Sequence, residues 1–261
     1  MTYPIIYHIT AQAGYYAPGY YSGAHGYGAD SASMIGIILI VLAGIVGTVV
    51  QNRMLARMRE YSSESARLTG AQVARRMLDS YGLSDVRITH VKGQLTDHYN
   101  PADRTVNLSD TVFSQATVAA AAVAAHECGH AVQHARAYPW LGLRSQMVPL
   151  VNIGSRLGQV LLVIGLMLAA AGNTTTVAWV GLALFASTTL FALVTLPVEF
   201  DASRRALAWL EHSAEVSPTM HRHAASALRW AAMTYVAAAL SSIAMLLYYV
   251  FILLSRSNQR R

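Results

Sequence analysis

Four long apolar stretches constrain this chain more than any other feature. Residues 33–51, residues 231–255 and two stretches within 146–198 consist almost wholly of apolar and small side chains. About 20 such residues in a helix cross the apolar core of a bilayer. Hydrophobic residues make up 54% of the chain and charged residues 12%, a composition typical of integral membrane proteins. The sequence therefore predicts a mainly α, integral membrane fold with about four transmembrane helices.

A His-Glu-x-x-His motif lies in the longest polar region, at His126, Glu127 and His130. An Ala-rich run precedes it, which predicts one helix over residues 114–136. Two imidazoles one turn apart share a helix face and can bind one Zn²⁺ ion, while Glu127 can act as general base on a metal-activated water. His134 lies about 12 Å from His126 along the helix, too far to share that ion. Cys128 as a nucleophile is an alternative, although the motif explains the chemistry without it.

A catalytic zinc ion takes three protein ligands and leaves one position for water, so a third ligand is expected elsewhere. Glu199 is the leading candidate, because a carboxylate at the end of a membrane helix is costly unless it is used. Asp201 could orient a ligand histidine, and His98 could have an accessory role. The alternative is that Glu199 or Asp201 forms an ion pair with a neighbouring arginine. The remaining candidates are Glu211, His212, Glu215, His221 and His223.

The basic residues predict the orientation in the membrane. Residues 52–145 carry eleven Lys and Arg and residues 199–230 carry four, whereas residues 1–32 and 172–176 carry none. Because basic loops stay in the cytoplasm, the motif and Glu199 are expected on the cytoplasmic side. The basic residues of the C-terminal tail run against this rule. The net charge of +6 then reflects topology, and no nucleic-acid partner is expected.

These patterns divide the chain into seven parts. Residues 1–32 are a Tyr/Gly-rich low-complexity tail, either a disordered spacer or a contact for a partner membrane protein. Residues 33–51 form a transmembrane helix, 52–145 the zinc-motif region, 146–198 a transmembrane hairpin, 199–230 the third-ligand segment with cytoplasmic helices, 231–255 a last transmembrane helix and 256–261 a basic tail. The zinc-motif region is predicted as small α+β, with a helix over 66–81, strands over 86–91 and 104–108, and a turn over 97–103.

Four segments resemble the YugP-type family of bacterial membrane zinc metallopeptidases: TDHYNP at 96–101, LS at 108–109, AHECGHAVQ at 125–133 and LPVEFDAS at 196–203. The resemblance runs over about residues 33–255. It implies a membrane-embedded neutral zinc peptidase with His126, His130 and Glu199 as ligands and Glu127 as base. The family is distantly similar to the HtpX-like and CAAX prenyl-protease gluzincins. Those enzymes carry Glu-x-x-x-Asp, whereas this chain has Ser203 at the Asp position, so the orienting role passes to Asp201.

The residues and the resemblance together predict a membrane-embedded zinc endopeptidase of the bacterial cytoplasmic membrane. Its expected partners are the lipid bilayer and a peptide or membrane-protein substrate. The alternative from another class is a non-proteolytic membrane scaffold or adaptor with a structural zinc site. A structural site would be closed by four protein ligands, whereas a catalytic site keeps one position open.

Overall fold

The computed structural model describes residues 31–213 and 216–258, and the tail at residues 1–30 lies outside them. The described chain forms two compact units. The first contains residues 49–142 and 195–235, and the second contains residues 31–48, 143–194 and 236–258. The helices are α1 (Ser31–Ser62), α2 (Gly70–Ser80), α3 (Asp110–Ser114), α4 (Val118–Ala135), α5 (Pro139–Ala170), α6 (Thr176–His212) and α7 (Pro218–Asn258), and the strands are β1 (Arg87–Val91), β2 (His98–Asn100) and β3 (Thr105–Ser109).

Four of these helices, α1, α5, α6 and α7, are long and apolar enough to cross a membrane. The mainly α fold with four such helices and a small sheet is therefore confirmed. The helices extend beyond the predicted apolar stretches. α6 continues without interruption from Thr176 through Pro197 to His212, so Glu199 lies inside a helix rather than just after one. Proline removes one backbone donor, and this helix tolerates that loss.

The core of the first unit lies between α2, the sheet and α4. α2 begins with a capping box, in which Thr69 accepts from Gln72 N and Gln72 accepts from Thr69 N. It ends in a Schellman motif at Gly82, whose φ of 71° is the conformation that glycine adopts most easily. Its apolar face packs against the Ala-rich α4, whose small side chains allow close approach. The buried residues of that face are Val73, Ala74, Met77 and Leu78.

The sheet has the order β1–β3–β2, with β1 parallel and β2 antiparallel to β3. The prediction of a turn over 97–103 is wrong in its first half, because residues 98–100 form the edge strand β2. Three residues carry no readable alternation, and this strand depends on its pairing with β3. Asp97, just before it, is buried and accepts hydrogen bonds from Ser109 N and Oγ. Burial raises the pKa of the Asp97 carboxyl.

The single helix predicted over 114–136 is also wrong at its start, because residues 115–117 lie between two helices. α3 ends at Ser114 and α4 begins at Val118. Thr117 caps α4 by accepting from Ala120 N. The intervening backbone pairs with an earlier segment: Ala66 N donates to Ala116 O, and Val118 N donates to Glu64 O. These distant bonds outweigh the local helix propensity.

The second unit is held together by helices that meet at small residues. A Cβ added at Gly165 would lie 2.2 Å from the backbone nitrogen of Ala178, and one added at Gly181 would lie 2.5 Å from that of Leu162. α5 and α6 therefore pack backbone to backbone, as helices in membranes commonly do. Near the C-terminal end of α7, Arg256 donates a hydrogen bond to the carbonyl of Leu166 on α5.

We expect Gly165→Ala to destabilise the second unit by about 1–3 kcal/mol, because the added methyl group meets backbone that cannot move aside. Thermal unfolding in detergent measures this. Gly44→Ala is the matched control, since a Cβ at Gly44 has nothing within 4 Å. Equal unfolding temperatures for the two variants would contradict the close packing of α5 on α6.

Candidate metal centre

Three side chains from two helices converge in the first unit. His126 and His130 come from α4, and their rings are 4.8 Å apart at 85°. Glu199 from α6 points between them, with its Oε2 atom 3.2 Å from His126 Nε2 and 3.6 Å from His130 Nε2. One donor atom from each residue lies within 4.8 Å of the other two. Glu199 is only 2% exposed, so its charge needs these partners.

A close approach of two helix backbones makes this convergence geometrically feasible. Gly129 lies between the two histidines on α4, and a Cβ there would be 2.5 Å from Ala202 O on α6. Any larger residue at position 129 has to push the helices apart. Gly129 thus sets how far Glu199 reaches towards the imidazoles.

Each histidine has a polar partner on its other ring nitrogen. His126 Nδ1 is 3.1 Å from Ser203 Oγ, so Ser203 takes the place for which the family resemblance implied Asp. His130 Nδ1 is 3.0 Å from Gln133 Oε1. Gln133 in turn donates to Asp201 Oδ2 at 2.9 Å. Asp201 therefore reaches a histidine through Gln133, not by direct contact.

The alternative of an arginine ion pair applies to Asp201, whose carboxylate contacts both Arg204 and Arg205. Glu199, in contrast, faces the histidines. Gln133 is a residue of the site that was not predicted from the sequence. A signal was available, because a residue three positions after His130 on a helix shares its face.

Glu127 lies beside the cluster and is fixed by the edge strand. Its Oε2 atom accepts a hydrogen bond of 3.0 Å from the backbone N–H of Tyr99 in β2. Burial is the main cause that raises the pKa of Glu127 to about 7, with smaller contributions from Asp97 and Glu199, while His126 and the Tyr99 N–H act in the opposite direction. A carboxyl in this position can exchange a proton near neutral pH.

The other histidine candidates lie outside the group of converging donors. His98 Nδ1 contacts Thr96 O, and His134 Nδ1 is 2.8 Å from the hydroxyl of Tyr99. His223 pairs with Glu64, while His212 and His221 each contact a backbone carbonyl. Glu215 lies outside the described residues.

The cysteine alternative is disfavoured by its surroundings. Cys128 is fully buried and lies on the side of α4 that faces α2, with Sγ 3.6 Å from Ala74 O. Burial also raises the pKa of its thiol, so the reactive thiolate is disfavoured.

The donor set fits zinc by its chemistry. Two imidazole nitrogens and one carboxylate oxygen are a common ligand set of catalytic zinc, and each imidazole here has a partner that orients it. Glu127 stands on the same helix as the two histidines. These features define the class of site found in metal-dependent hydrolases.

Comparison with known proteins supports that class. Residues 36–254 match the family described as "Putative neutral zinc metallopeptidase", and this chain belongs to it. The chain is also 38% identical over 228 residues to the "Putative membrane protease YugP" of Bacillus subtilis (strain 168), an alignment that covers 87% of this chain and 100% of that protein. No solved structure matches. The expected membership of the YugP-type family is therefore confirmed.

We expect Gly129→Ala to weaken zinc binding, because the new methyl group overlaps Ala202 O and moves Glu199 away from the histidines. Zinc content of the purified protein and competition with a chelator measure this effect. Gly142→Ala is the control in the same unit, since a Cβ there has nothing within 4 Å. If Gly129→Ala binds zinc as tightly as the wild type, the close approach of α4 and α6 at Gly129 does not set the geometry of the three donor atoms.

Proposed function

We propose that this protein is a membrane-embedded, zinc-dependent endopeptidase. The single observation that carries the proposal is the convergence of His126, His130 and Glu199 beside Glu127. The family match and the resemblance to a membrane protease support a protease role. In this proposal His126, His130 and Glu199 hold one Zn²⁺ ion and Glu127 is the general base.

The protein groups have separate roles in hydrolysis. A zinc ion at this site would polarise the scissile carbonyl and lower the pKa of a water molecule towards neutrality. Glu127 accepts a proton from the attacking water and returns it to the amine leaving group. The Tyr99 N–H holds one oxygen of Glu127, which fixes the carboxylate for this transfer.

The edge strand β2 is the element that we propose binds the substrate. The Tyr99 N–H donates to Glu127, so it points away from β3. In an antiparallel pair the carbonyl of the same residue points the same way. An extended peptide added at this edge would therefore run past Glu127, which is the general mode of β-strand addition.

The same proposal places the enzyme in the bacterial cytoplasmic membrane with its active site on the cytoplasmic side. The support is the excess of Lys and Arg in residues 52–145 and 199–230. Glu199 lies on α6, which is itself a candidate membrane span. Membrane proteins or peptides near the cytoplasmic surface are the substrates that such a site reaches.

A structural zinc site in a scaffold protein fits the geometry less well. Such a site is closed by four protein ligands. Among the described residues, the group that could hold a metal contains three donors. Three donors leave a coordination position open for water.

Glu127→Gln tests the general base. We expect it to retain zinc and to lower hydrolysis by about 10²–10⁴-fold, because the amide cannot accept the proton. Comparing membrane proteomes of cells that express the normal or the variant enzyme reveals fragments that depend on Glu127. Glu60→Gln, at an exposed carboxylate, is the control. If the Glu127→Gln variant still produces those fragments, the mechanism is wrong.

Glu199→Gln tests the third ligand. We expect loss of zinc together with loss of activity, because the charged donor between the histidines disappears. Metal analysis of the purified protein measures it, with Glu211→Gln as control at an exposed position on the same helix. A variant that keeps its full zinc content would exclude Glu199 as a ligand.

A further inference from the structure

Gln133 is a buried amide whose hydrogen bonds fix its orientation. It is 0% exposed on α4. Its Nε2 atom donates at 2.8 Å to Val198 O and at 2.9 Å to Asp201 Oδ2. Both partners can only accept, since one is a carbonyl and the other is a carboxylate held by two arginines. The NH₂ group must therefore face α6, and the carbonyl oxygen must face His130.

This orientation determines the tautomer of His130. Gln133 Oε1 can only accept, so the hydrogen bond of 3.0 Å requires a proton on His130 Nδ1. The other ring nitrogen, Nε2, is 3.6 Å from Glu199 Oε2, which is longer than a hydrogen bond. In the neutral ring the proton therefore stays on Nδ1, and Nε2 presents its lone pair to the space beside Glu199.

His126 differs in this respect and serves as an internal comparison. Its Nδ1 partner is the hydroxyl of Ser203, which can donate or accept. Its Nε2 atom is 3.2 Å from Glu199 Oε2, within hydrogen-bond distance. Because a carboxylate can only accept, this contact favours a proton on His126 Nε2, the nitrogen that faces Glu199. Of the two histidines, His130 is the one whose hydrogen-bond partner keeps the proton on the nitrogen that faces away from Glu199.

Gln133 also joins the two helices that carry the donors. Val198, whose carbonyl it binds, is the residue before Glu199, and His130 lies one turn before Gln133 on α4. Asp201 and Arg205 continue the chain of contacts along α6. One side chain thus positions a nitrogen donor and the turn that carries the oxygen donor.

We propose that Gln133 is the positioning residue of the metal centre: it holds His130 as the Nδ1–H tautomer and holds the turn of Glu199 against it. The expected effect of Gln133 on zinc affinity rests on the proposed function, whereas the tautomer of His130 is a property of the metal-free protein and does not. Orienting groups of this kind typically contribute 10–100-fold to metal affinity. His130 therefore contacts Gln133, and Gln133 contacts Asp201, so the Asp201 carboxylate acts on the histidine through an amide and not directly.

The first experiment reads the tautomer in metal-free protein. Full-length protein labelled with ¹⁵N-histidine is stripped of metal in detergent and studied by NMR at about pH 9, where imidazoles are neutral. A His130→Asn variant assigns the signals. We expect Nδ1–H at His130 in the wild type, and a mixture of tautomers in Gln133→Met, which keeps the length of the side chain but removes its hydrogen bonds. A wild-type proton on Nε2 would overturn the proposal without any variant.

The second experiment measures zinc affinity by competition with a chelator. We expect Gln133→Met to raise the zinc dissociation constant about 10–100-fold. Gln94→Met, the same change at an exposed position of the same unit, is the matched control, and it should leave both the zinc affinity and the His130 tautomer as in the wild type. An affinity of Gln133→Met within about threefold of the wild type would overturn the role at the metal. If the wild type binds no zinc, the proposed function fails, and the tautomer measurement still decides the role of Gln133.

Discussion

The contact between the buried carboxylate of Glu199 and the imidazole of His126 is the interaction on which the site depends. A charge as buried as that of Glu199 is very costly unless it is compensated. Its compensation comes from another helix, so α4 and α6 must approach to backbone contact, which Gly129 permits. On the opposite side of α4, its small residues allow α2 to pack closely. The small residues of α4 thus allow close packing on both of its faces.

Elements whose signal lies within their own segment were predicted correctly from the sequence, whereas elements that depend on contacts with distant residues were not. Length and apolar composition identify four membrane helices, because these properties belong to each segment by itself. β2 was missed, since its three residues acquire their conformation from β3 and from the Tyr99 contact to Glu127. The start of α4 was misplaced for a similar reason. Residues 115–117 look helical, yet their backbone pairs with residues near position 65.

The candidate site shows the same division. The spacing of His126 and His130 is readable, since helix periodicity alone places them on one face. Glu199 required an argument about cost in the membrane and a family resemblance, and its role as ligand stays a prediction that its position supports. The spacing of Gln133 from His130 was readable in the same way, but its bond to Val198 and the bond of Ser203 to His126 were not, because each spans more than 60 residues of sequence. Ser203 looked like a departure from the family pattern, yet it contacts His126.

Side chains from outside α6 fix the backbone just before Glu199, where Pro197 interrupts the hydrogen bonding of the helix. Pro197 has no N–H, so the helix loses one internal hydrogen bond in the turn before Glu199. Two side chains from outside α6 bind carbonyls in that turn: Tyr138 binds Pro197 O, and Gln133 binds Val198 O. These tertiary contacts hold the turn in place, although they do not restore the bond that Pro197 removes. The turn that carries the third donor is thus positioned by the same region of the chain that carries the two histidines, so that both halves of the site are adjusted to each other.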